Sequence, residues 1–388
     1  NQRPLAAYLH TPQAYIIPEG YIIHHTPKGV YHLTKKGDAM GIRKRIGCGL
    51  LAAGMAAAAL TGCSRLERFT TSFLGAFDTA SMIVGYTGSQ EDFDRYTGRY
   101  EELLLEYSRL YDIYEDYDGV VNLKTVNDNA GIAPVEVDGR IIDLLTFGKE
   151  VYEMTDGLVN ICYGSVLSVW HDYREAGLAD PDSAEVPPTQ LLEEAAEHTD
   201  IDGLIIDEAA STVYLADPEM RLDVGAIAKG YAVEQVCRQI EEEGFANASF
   251  SIGGNIRTLG WREGKEGENW VIGLEDPLNL SGDYLMTVGL HDTSMVTSGD
   301  YQRYYTVDGE NYHHIIDPRT LMPARYVHAV SVITADSGYA DALSTWLFLL
   351  PVEEGLELVE SLDGVEAVWT ALDDSQTESS GFSQYRND

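Results

Sequence analysis

The alternation of predicted strands and helices along this chain of 388 residues, without a visible internal repeat, permits an α+β fold but does not by itself establish one. Its 44% of hydrophobic residues are enough for one large or two ordinary globular domains and too many for a disordered chain. The 26 Lys and Arg stand against 63 Asp and Glu, a formal net charge of −37, which rules out a nucleic-acid binder that depends on phosphate contacts. Four cysteines without CxxC or metal-ligand spacing argue against a disulfide framework, a zinc site and an iron–sulfur cluster.

Residues 40–64 have the pattern of a secretion signal. Three basic residues, at positions 43 to 45, precede an uncharged stretch rich in Ala and Gly that runs from Ile46 to Gly62. The stretch ends in Leu-Thr-Gly-Cys at 60–63, which resembles the lipobox of bacterial lipoproteins, where cleavage precedes a diacylated cysteine. We therefore expect a signal peptide at 40–62 and a lipid on Cys63. The alternative is a short transmembrane anchor, for which about 20 strongly apolar residues are expected.

Residues 1–39 fit poorly as part of the protein, since they lie upstream of a signal that works only at an amino terminus. They contain no initiator Met, and residues 35–38 are compatible with a purine-rich ribosome-binding site ahead of Met40. We expect a start codon assigned too early, so that residues 1–39 are not translated in vivo. Peptides from this stretch in the native protein would contradict that expectation.

The part of the chain from Cys63 onward carries 19 basic and 61 acidic side chains, since residues 1–62 hold 7 of the basic and 2 of the acidic ones. Its charge of −42 would be repelled by an anionic membrane surface. Attachment must then come from the lipid on Cys63, and stable anchoring takes more than one acyl chain. We expect the protein on the extracytoplasmic face of the bacterial cell membrane.

Two elements are predicted at the start of the mature chain. A strand covers 70–86 and contains the sequence Phe-Asp-Thr at 77–79. Ser89 then caps a helix whose apolar residues recur at helical spacing. Further on, residues 171–200 are acidic and contain three prolines, which predicts a surface loop with a short helix near 191–197.

The remaining elements are predicted from hydrophobic residues that recur at the helical period of 3.6 or at the strand period of 2. Helices are predicted over 139–154, 226–243, 337–349 and 352–360. Strands are predicted over 211–215, 220–224, 247–252, 270–274, 285–290, 294–297, 329–334 and 364–370. A hairpin is predicted where residues 304–307 and 312–316 flank Asp308-Gly309. Residues 373–388 are predicted to form a polar, disordered tail.

A strand that passes through small residues into a helix is predicted over 221–231. Such a turn points backbone N–H groups and the positive end of the helix dipole at an anion. Lys229 adds a charge suited to phosphate, and Asp223 is placed to accept hydrogen bonds from a ligand. The alternative is a packing glycine beside a solvated lysine.

Gly253 and Gly254 interrupt a predicted strand, and their bare backbone would let a flat or bulky ligand approach closely. Further on, Arg303 leads into the hairpin that carries two adjacent histidines, His313 and His314. Successive residues of a strand face opposite sides, so the two histidines cannot share a role. One of them should be structural or exposed.

Asp341 and Thr345 lie four residues apart at the start of an apolar helix, so that they stack on one face and present two oxygens to one point. Hard oxygen ligands suit Mg²⁺, which keeps waters and bridges to substrate phosphates. The alternative is an aspartate favoured by the helix dipole and a threonine that bonds backward to the helix. Because the chain from Cys63 onward has a net charge of −42, a bound pyrophosphate would need nearby positive charges. Lys229, Arg257 and Arg303 would supply them together with the metal.

The order of these motifs resembles that of the bacterial flavin transferase family, the FAD:protein FMN transferases of the ApbE type. The resemblance covers about residues 70–370 and implies an α+β, tunnelling-fold-like architecture with two lobes and FAD in the cleft between them, in a transferase domain over 63–372. The motifs that carry it are FDT at 77–79, SRLYDIY at 108–114, TDGLVN at 155–160, LDVGAIAKGYA at 222–232, SIGGNI at 251–256, VTSGDYQRYY at 296–305, YHHIIDPRT at 312–320 and ADALST at 340–345.

Carried over position by position, the resemblance implies how FAD and a metal are held. Mg²⁺ would be bound by Asp341, Thr345 and the backbone carbonyl of Ala226. His314, which matches the histidine of the family's HIIDP motif, would assist deprotonation of the acceptor hydroxyl. FAD contacts would come from Phe77, Tyr111, Gly157, Leu158, Val159, Asp223, Lys229 and Ile315. Gly253, Gly254 and Arg303 are further candidate FAD contacts, selected from their own chemistry as described above.

The activity that the resemblance implies is Mg²⁺-dependent transfer of FMN from FAD to a Thr or Ser hydroxyl of a partner protein, with release of AMP. The family modifies subunits of membrane redox complexes such as the sodium-pumping NADH:quinone oxidoreductase (Nqr) and the Rnf complex. Two alternatives stay open. One is a Mg²⁺-dependent FAD pyrophosphatase that yields FMN and AMP with water as nucleophile, and the other is a non-catalytic, lipid-anchored flavin-binding protein.

Overall fold

The computed structural model describes residues 66–279 and 284–387, together with the backbone of two strands near the start of the chain. These strands, β1 (Tyr21–His25) and β2 (Tyr31–Lys35), pair antiparallel with Tyr21 opposite Lys35. The predicted signal peptide at 40–62 and the lipidated Cys63 lie outside the described residues. In the part that is described, no helix combines the length and the apolar character needed to cross a membrane.

An antiparallel sheet of eight strands lies at the centre of the described part of the chain. From one edge to the other its strands are β19 (Gln376–Glu378), β18 (Glu366–Ala371), β17 (Val327–Thr334), β12 (Ser294–Gly299), β9 (Asn255–Leu259), β8 (Ala248–Ile252), β4 (Ala80–Thr87) and β3 (Glu67–Leu74). Every neighbouring pair is antiparallel, with helices segregated from the sheet, which is the layer arrangement of an α+β fold.

Helices and smaller sheets surround this central sheet. The helices are α1 (Gln90–Leu110), α2 (Leu123–Asp128), α3 (Gly139–Met154), α4 (Gly164–Ala179), α5 (Thr189–Ala196), α6 (Ala228–Glu242), α7 (Ser337–Phe348) and α8 (Val352–Glu360). The other strands are β5 (Val135–Glu136), β6 (Leu204–Asp207), β7 (Thr212–Leu215), β10 (Trp270–Glu275), β11 (Tyr284–Leu290), β13 (Tyr304–Val307), β14 (Glu310–His313), β15 (Ile316–Asp317) and β16 (Met322–Pro323). They pair as β5-β7-β6, β10-β11, β13-β14 and β15-β16.

The two faces of the central sheet bury different apolar clusters. Ile83 of β4 belongs to the main cluster, which it shares with residues of α1, α3, α6 and β7. Its neighbour Val84 belongs to a second cluster with Trp270 of β10 and with Phe382. Because successive strand side chains point to opposite faces, α1, α6 and α7 cover one face and the β10-β11 hairpin covers the other. Burial of each such large side chain contributes about 1.5–3 kcal/mol.

Most helices confirm the sequence predictions. The side chain of Ser89 accepts a hydrogen bond from the Asp92 N–H at 3.1 Å and so caps α1. Helices α3, α6, α7 and α8 begin and end within two residues of the predicted bounds. The turn at Asp308-Gly309 is also confirmed, since both residues have positive φ and join β13 to β14, although β14 ends at His313 rather than at residue 316.

The single strand predicted over 70–86 is wrong. The chain reverses direction at residues 75–79, and β3 and β4 pair as a hairpin with Leu74 opposite Ala80. Gly75 has φ of 108°, and Phe77 and Asp78 have φ of 50° and 53°, a conformation that ends any extended run. The Phe-Asp-Thr sequence therefore forms a turn at the end of the hairpin.

The segment 171–200 is not mainly a loop, because its first third continues α4. The buried residues of α4 include glycines and a serine besides Trp170, so its hydrophobic periodicity is weak in the sequence. The strand predicted over 220–224 is also wrong, since only Arg221 forms an isolated bridge, to Tyr163. Strand β6 was not predicted, while a short helix, α5, does occur near the predicted place.

The predicted disordered tail is part of the fold up to residue 387. Strand β19 pairs with β18 and forms one edge of the central sheet. Phe382 is fully buried in the cluster under the β10-β11 hairpin, and the Asn387 N–H donates to the Thr287 carbonyl at 3.0 Å. The predicted division into two lobes stays a prediction.

Candidate active site

The first turn of α6 holds together three of the segments selected from the sequence. The Lys229 ammonium donates to the Gly253 carbonyl at 3.0 Å, which joins α6 to the turn between β8 and β9. The N–H of Gly230 donates to Asp341 Oδ2 at 2.7 Å, which joins α6 to α7. Gly230 permits this approach, because a Cβ there would overlap the Ser337 carbonyl oxygen and lie 2.5 Å from Asp341 Cβ.

The Gly253-Gly254 pair forms the two-residue turn of the β8-β9 hairpin. Both residues have positive φ, 51° and 94°, which favours glycine in such a turn. A Cβ on Gly253 would lie 2.5 Å from Thr79 Cγ2, so this turn packs against the end of the β3-β4 hairpin. A Cβ on Gly254 would meet only Gln302 Nε2, at 3.7 Å, which leaves the backbone there open to a ligand.

The Asp341 carboxylate is buried, with 7% of its surface exposed. Burial raises its pKa, and the Lys229 charge, the Gly230 N–H and the Asn255 amide act in the opposite direction. Burial likewise lowers the pKa of Lys229, against the effect of the Asp341 charge. The two groups therefore depend on each other for their charged forms.

The residues around Asp341 fit a magnesium ion. Thr345 follows one turn later on α7 and is half-buried. The Gly230 N–H, which would bond the Ala226 carbonyl in a continuing helix, donates to Asp341 instead, so this carbonyl accepts no backbone N–H within the described residues. No group of three or more His, Cys, Asp and Glu capable of holding a metal occurs in the described part. One carboxylate with neutral oxygens is nonetheless a set that Mg²⁺ accepts when phosphates and waters complete it.

Asp223 and Lys229 both lie within electrostatic reach of Arg303, and the region that these three side chains share with Asp341 is called the cleft below. Asp223 is half-buried, its Oδ1 accepts the Gly225 N–H at 2.8 Å, and burial raises its pKa. Burial and the nearby charge of Arg174 lower the pKa of Arg303, while Asp78 and Asp223 oppose the shift. Arg303 forms no ion pair with a carboxylate among the described residues, so its charge is available to an anionic ligand.

Arg257 does not reach this cleft, which corrects its assignment as a cation for the pyrophosphate. Its side chain is 7% exposed, and its Nε donates to the buried Glu234 carboxylate at 3.0 Å. Glu234 also accepts the Ser337 N–H at 3.0 Å and the Arg238 Nε–H at 2.9 Å. Arg257 therefore belongs to an internal network that links β9, α6 and α7.

The two histidines have different surroundings. His313 is buried, with Nε2 2.8 Å from the Ala324 carbonyl oxygen and Nδ1 3.3 Å from the Ile315 nitrogen. His314 is half-buried, and its Nδ1 lies 3.3 Å from the Arg303 carbonyl oxygen. Burial and then the Arg303 charge hold the pKa of His314 well below its usual range, so its ring is neutral near pH 7.

The remaining predicted flavin contacts are not all brought to the cleft. The Phe77 N–H donates to Ser108 Oγ at 2.9 Å in the turn beside Gly253, and Gly157 lies half-buried in a turn with φ of 79°. Tyr111 is 4% exposed and its hydroxyl donates to the Arg140 carbonyl. Leu158, Val159 and Ile315 pack in the apolar clusters, the last two of them buried.

Three side chains near the cleft were not selected from the sequence. Tyr114 is 53% exposed and stacks on the His171 ring, with centroids 4.9 Å apart. Arg174 Nη2 lies 3.1 Å from His171 Nδ1, and the Arg174 charge acts on Arg303 and on His314. The spacing of His171 and Arg174, three residues apart, was the available signal once α4 was known to be a helix.

Comparisons with known proteins show what the chain is similar to. The ApbE family matches residues 79–369. An FAD:protein FMN transferase from Treponema pallidum (strain Nichols) is 33% identical over 273 residues, which is 67% of this chain and 73% of that protein. Another, from Klebsiella pneumoniae (strain 342), is 30% identical over 270 residues, which is 68% of this chain and 81% of that protein.

Solved structures show the same fold. The ApbE protein from Thermotoga maritima msb8 matches with a TM-score of 0.71 and 28% identity, over 83% of this chain and 100% of that one. The flavin transferase ApbE from Vibrio cholerae matches with a TM-score of 0.67 and 25% identity, over 82% and 99%. These matches confirm the resemblance and the mixed helix-and-sheet fold predicted from the sequence. The chain belongs to the ApbE family.

Proposed function

We propose that this chain transfers FMN from FAD to a Thr or Ser hydroxyl of a partner protein, in a Mg²⁺-dependent reaction that releases AMP. Relatives named FAD:protein FMN transferase support the flavin transfer. The observation that carries the chemistry is the convergence of the Asp341 carboxylate, the Lys229 ammonium and the open Ala226 carbonyl at the start of α6.

The start of α6 has what a diphosphate needs. The helix dipole favours an anion there, and Lys229 adds a full positive charge. Arg303, which has no carboxylate partner among the described residues, would compensate further negative charge from across the cleft. When bound by Asp341, Thr345 and the Ala226 carbonyl, Mg²⁺ would supply Lewis-acid stabilisation of the charge that develops on the diphosphate.

His314 is the group we propose for the proton of the acceptor. If its Nδ1–H donates to the Arg303 carbonyl, the lone pair of Nε2 remains free to accept a proton. The acceptor hydroxyl would pass its proton to Nε2 while its oxygen bonds to the FMN phosphorus and the bond to AMP breaks. Its lowered pKa keeps His314 in the neutral form that this step requires.

We further propose that the enzyme works on the extracytoplasmic face of the membrane, anchored by lipid on Cys63. The signal pattern over residues 40–62 and the charge of −42 after it support this placement. Acceptors would then be flavin-carrying subunits of membrane redox complexes of the Nqr or Rnf kind, with a Thr or Ser exposed on the same side.

The direct test is to incubate the purified protein with FAD, MgCl₂ and a candidate acceptor. Flavin fluorescence on the acceptor in a denaturing gel, with an equal amount of AMP released, would support the transfer. Free FMN and AMP without labelled acceptor would instead indicate the pyrophosphatase. FAD recovered intact would indicate a flavin-binding protein without catalysis.

Asp341→Ala tests the metal in the same assay. The substitution removes the one charged ligand of the proposed site, so transfer should be abolished. Glu357→Ala, which removes an exposed carboxylate on α8, should leave transfer unchanged. Near-normal transfer by Asp341→Ala at low Mg²⁺ would show that the metal assignment is wrong.

A further inference from the structure

A buried amide next to the proposed metal site has no hydrogen-bond partner. Asn255, the first residue of β9, is 1% exposed, and neither its Oδ1 nor its Nδ2 makes a hydrogen bond of normal geometry within the described part of the chain, although the amide lies close enough to Asp341 to lower the pKa of that carboxyl. A buried amide is normally hydrogen-bonded, because it gives up its bonds to water on folding. The missing partner is therefore expected to be a ligand or a bound water.

The backbone around Asn255 is held firmly in place. Asn255 pairs with Ile252 across the hairpin and with Val296 of β12. The turn that precedes it is tied to α6 by the hydrogen bond from Lys229 to the Gly253 carbonyl. The unpaired amide therefore belongs to a strand that is hydrogen-bonded on both sides, and looseness of the backbone does not account for it.

The Asn255 side chain lies beside the Asp341 carboxylate. Asp341 Oδ2 accepts the Gly230 N–H, and the Asn255 amide opposes the rise of the Asp341 pKa, which requires the two side chains to be close. The Lys229 ammonium is a third polar group of the same cluster. A bound water needs two to four polar partners, and these three side chains provide them.

Mg²⁺ bound to proteins usually keeps several waters as ligands. We propose that Asn255 hydrogen-bonds a water ligand of the cation held at Asp341 and so acts as an outer-sphere positioning residue. This inference rests on the metal site of the proposed function. Groups in such positions orient the ligands, and their loss typically lowers metal affinity 10- to 100-fold.

The experiment is a calorimetric titration of MgCl₂ into the purified protein, freed of divalent cations and without FAD. Asn255→Leu has a similar size without polar atoms, and its affinity for Mg²⁺ should fall about 10- to 100-fold. Asn255→Asp keeps an acceptor oxygen and adds negative charge, so it should bind Mg²⁺ at least as tightly as the wild type. A purely structural role would make both substitutions act in the same direction.

Ser294→Ala is the matched control. Ser294 is fully buried on the neighbouring strand β12, opposite Arg257, and its hydroxyl also has no partner in the described part. Its loss should leave Mg²⁺ affinity unchanged. If Asn255→Leu does not fold, Asn255→Ser removes the amide with less disturbance and should show the same loss of affinity.

Unchanged affinity in Asn255→Leu or Asn255→Ser, or equal weakening by Asn255→Leu and Asn255→Asp, would overturn the inference. The measurement needs neither FAD nor an acceptor. A wild-type protein that binds Mg²⁺ through Asn255 but labels no acceptor would therefore overturn the proposed transfer while this inference stands.

Discussion

The rings of His313 and His314 differ in whether a ring nitrogen remains without a hydrogen-bond partner among the described residues. Both nitrogens of His313 have partners, the Ala324 carbonyl and the Ile315 N–H, and the ring meets Phe348 edge to face. In His314 only Nδ1 lies near a partner among the described residues, the Arg303 carbonyl. A proton acceptor needs a free lone pair near the substrate, and of the two only His314 can offer one.

Replacing His314 by Asn should separate binding from chemistry. The amide fills similar space, so FAD binding should persist, while single-turnover transfer should fall by roughly 10²- to 10⁴-fold, the usual loss for a general base. FAD affinity, melting temperature and single-turnover rate are measured on one preparation. Lower stability or weaker FAD binding with an unchanged rate per bound flavin would remove His314 from the mechanism. His313→Asn, which breaks a buried hydrogen bond, should mainly lower the melting temperature.

The pH dependence of transfer should reflect the lowered pKa of His314. Burial and the Arg303 charge disfavour the protonated ring, so the rate should stay level below pH 6.5 and fall only when the pH passes that lowered pKa. Arg303→Met removes a positive charge beside the ring, which raises the pKa, so the acid loss should begin at a higher pH. Arg325→Met, an exposed site paired with Glu310, should leave the profile in place. Identical profiles in all three proteins would contradict this assignment.

Sequence patterns grouped some of the proposed site residues and misplaced another. Asp341 and Thr345 were grouped because spacing on a helix fixes which side chains share a face, and Lys229 was selected from the small-residue turn that leads into α6. Arg257 was misplaced although it lies on the same face of β9 as Asn255. Two residues further along the strand, it faces Glu234 on α6 instead of the cleft. That distinction depends on where α6 crosses the sheet, which no local pattern encodes.

The contact between α6 and α7 depends on the absence of a side chain at Gly230. Gly230→Ala would press a methyl group into the Ser337 carbonyl and Asp341, so it should destabilise the protein by about 1–3 kcal/mol and weaken transfer more strongly than folding. Gly98→Ala on α1, where an added Cβ meets nothing within 4 Å, should instead stabilise by roughly 0.5–1 kcal/mol. Urea unfolding and the transfer assay check both. Normal activity in Gly230→Ala would mean that the helices tolerate separation at this point.

The carboxylate of Glu234 joins three elements through one buried group. It accepts hydrogen bonds from Arg257 on β9, Arg238 on α6 and the Ser337 N–H at the start of α7. Glu234→Ala would leave the buried Arg257 charge without a partner, which typically costs about 3–5 kcal/mol. Glu102→Ala, which removes an exposed partner of Arg99, should change stability little. Urea unfolding measures this cost. If Glu234→Ala lowered the free energy of unfolding only slightly, water would have to reach the Arg257 side chain.

Helix α4 shows why some elements escaped prediction. Its buried face includes Gly164, Ser165 and Gly177, and Gly177 is small because a Cβ there would lie 2.7 Å from the Tyr305 ring. Glycine and serine carry no hydrophobic periodicity, so the pattern reads as a loop. The β13-β14 hairpin was easier, since Asp308-Gly309 marks its turn, whereas Gly253-Gly254, predicted to interrupt one strand, is the turn of the β8-β9 hairpin.

The order of strands in the central sheet could not be read from the sequence. Strand β12 lies between β9 and β17, partners that are far apart along the chain, and β19 joins the edge after the last helix. Such pairings depend on which apolar faces the helices cover, and the family resemblance, not the periodicity, supplied the architecture.

Membrane attachment should depend on the single cysteine of the lipobox. Cys63→Ser should release the protein from the membrane fraction and leave transfer intact, because the charge of −42 gives no electrostatic affinity for an anionic surface. Cys48→Ser, within the predicted signal peptide, should stay in the membrane fraction. Fractionation followed by immunoblotting measures both. Continued membrane association of Cys63→Ser would indicate an uncleaved helical anchor.

The position of β3 sets how far an anchored enzyme can act. Only four peptide steps separate Cys63 from Glu67, where β3 begins, so a lipidated Cys63 would hold that end of the strand within about 14 Å of the lipid. The eight residues of β3 span about 27 Å and end at the turn whose Thr79 contacts Gly253. The proposed active site would then lie at most roughly 40 Å from its anchor. An acceptor hydroxyl that lies further from the bilayer than this distance would not be flavinylated, even if the sequence around it suited the enzyme.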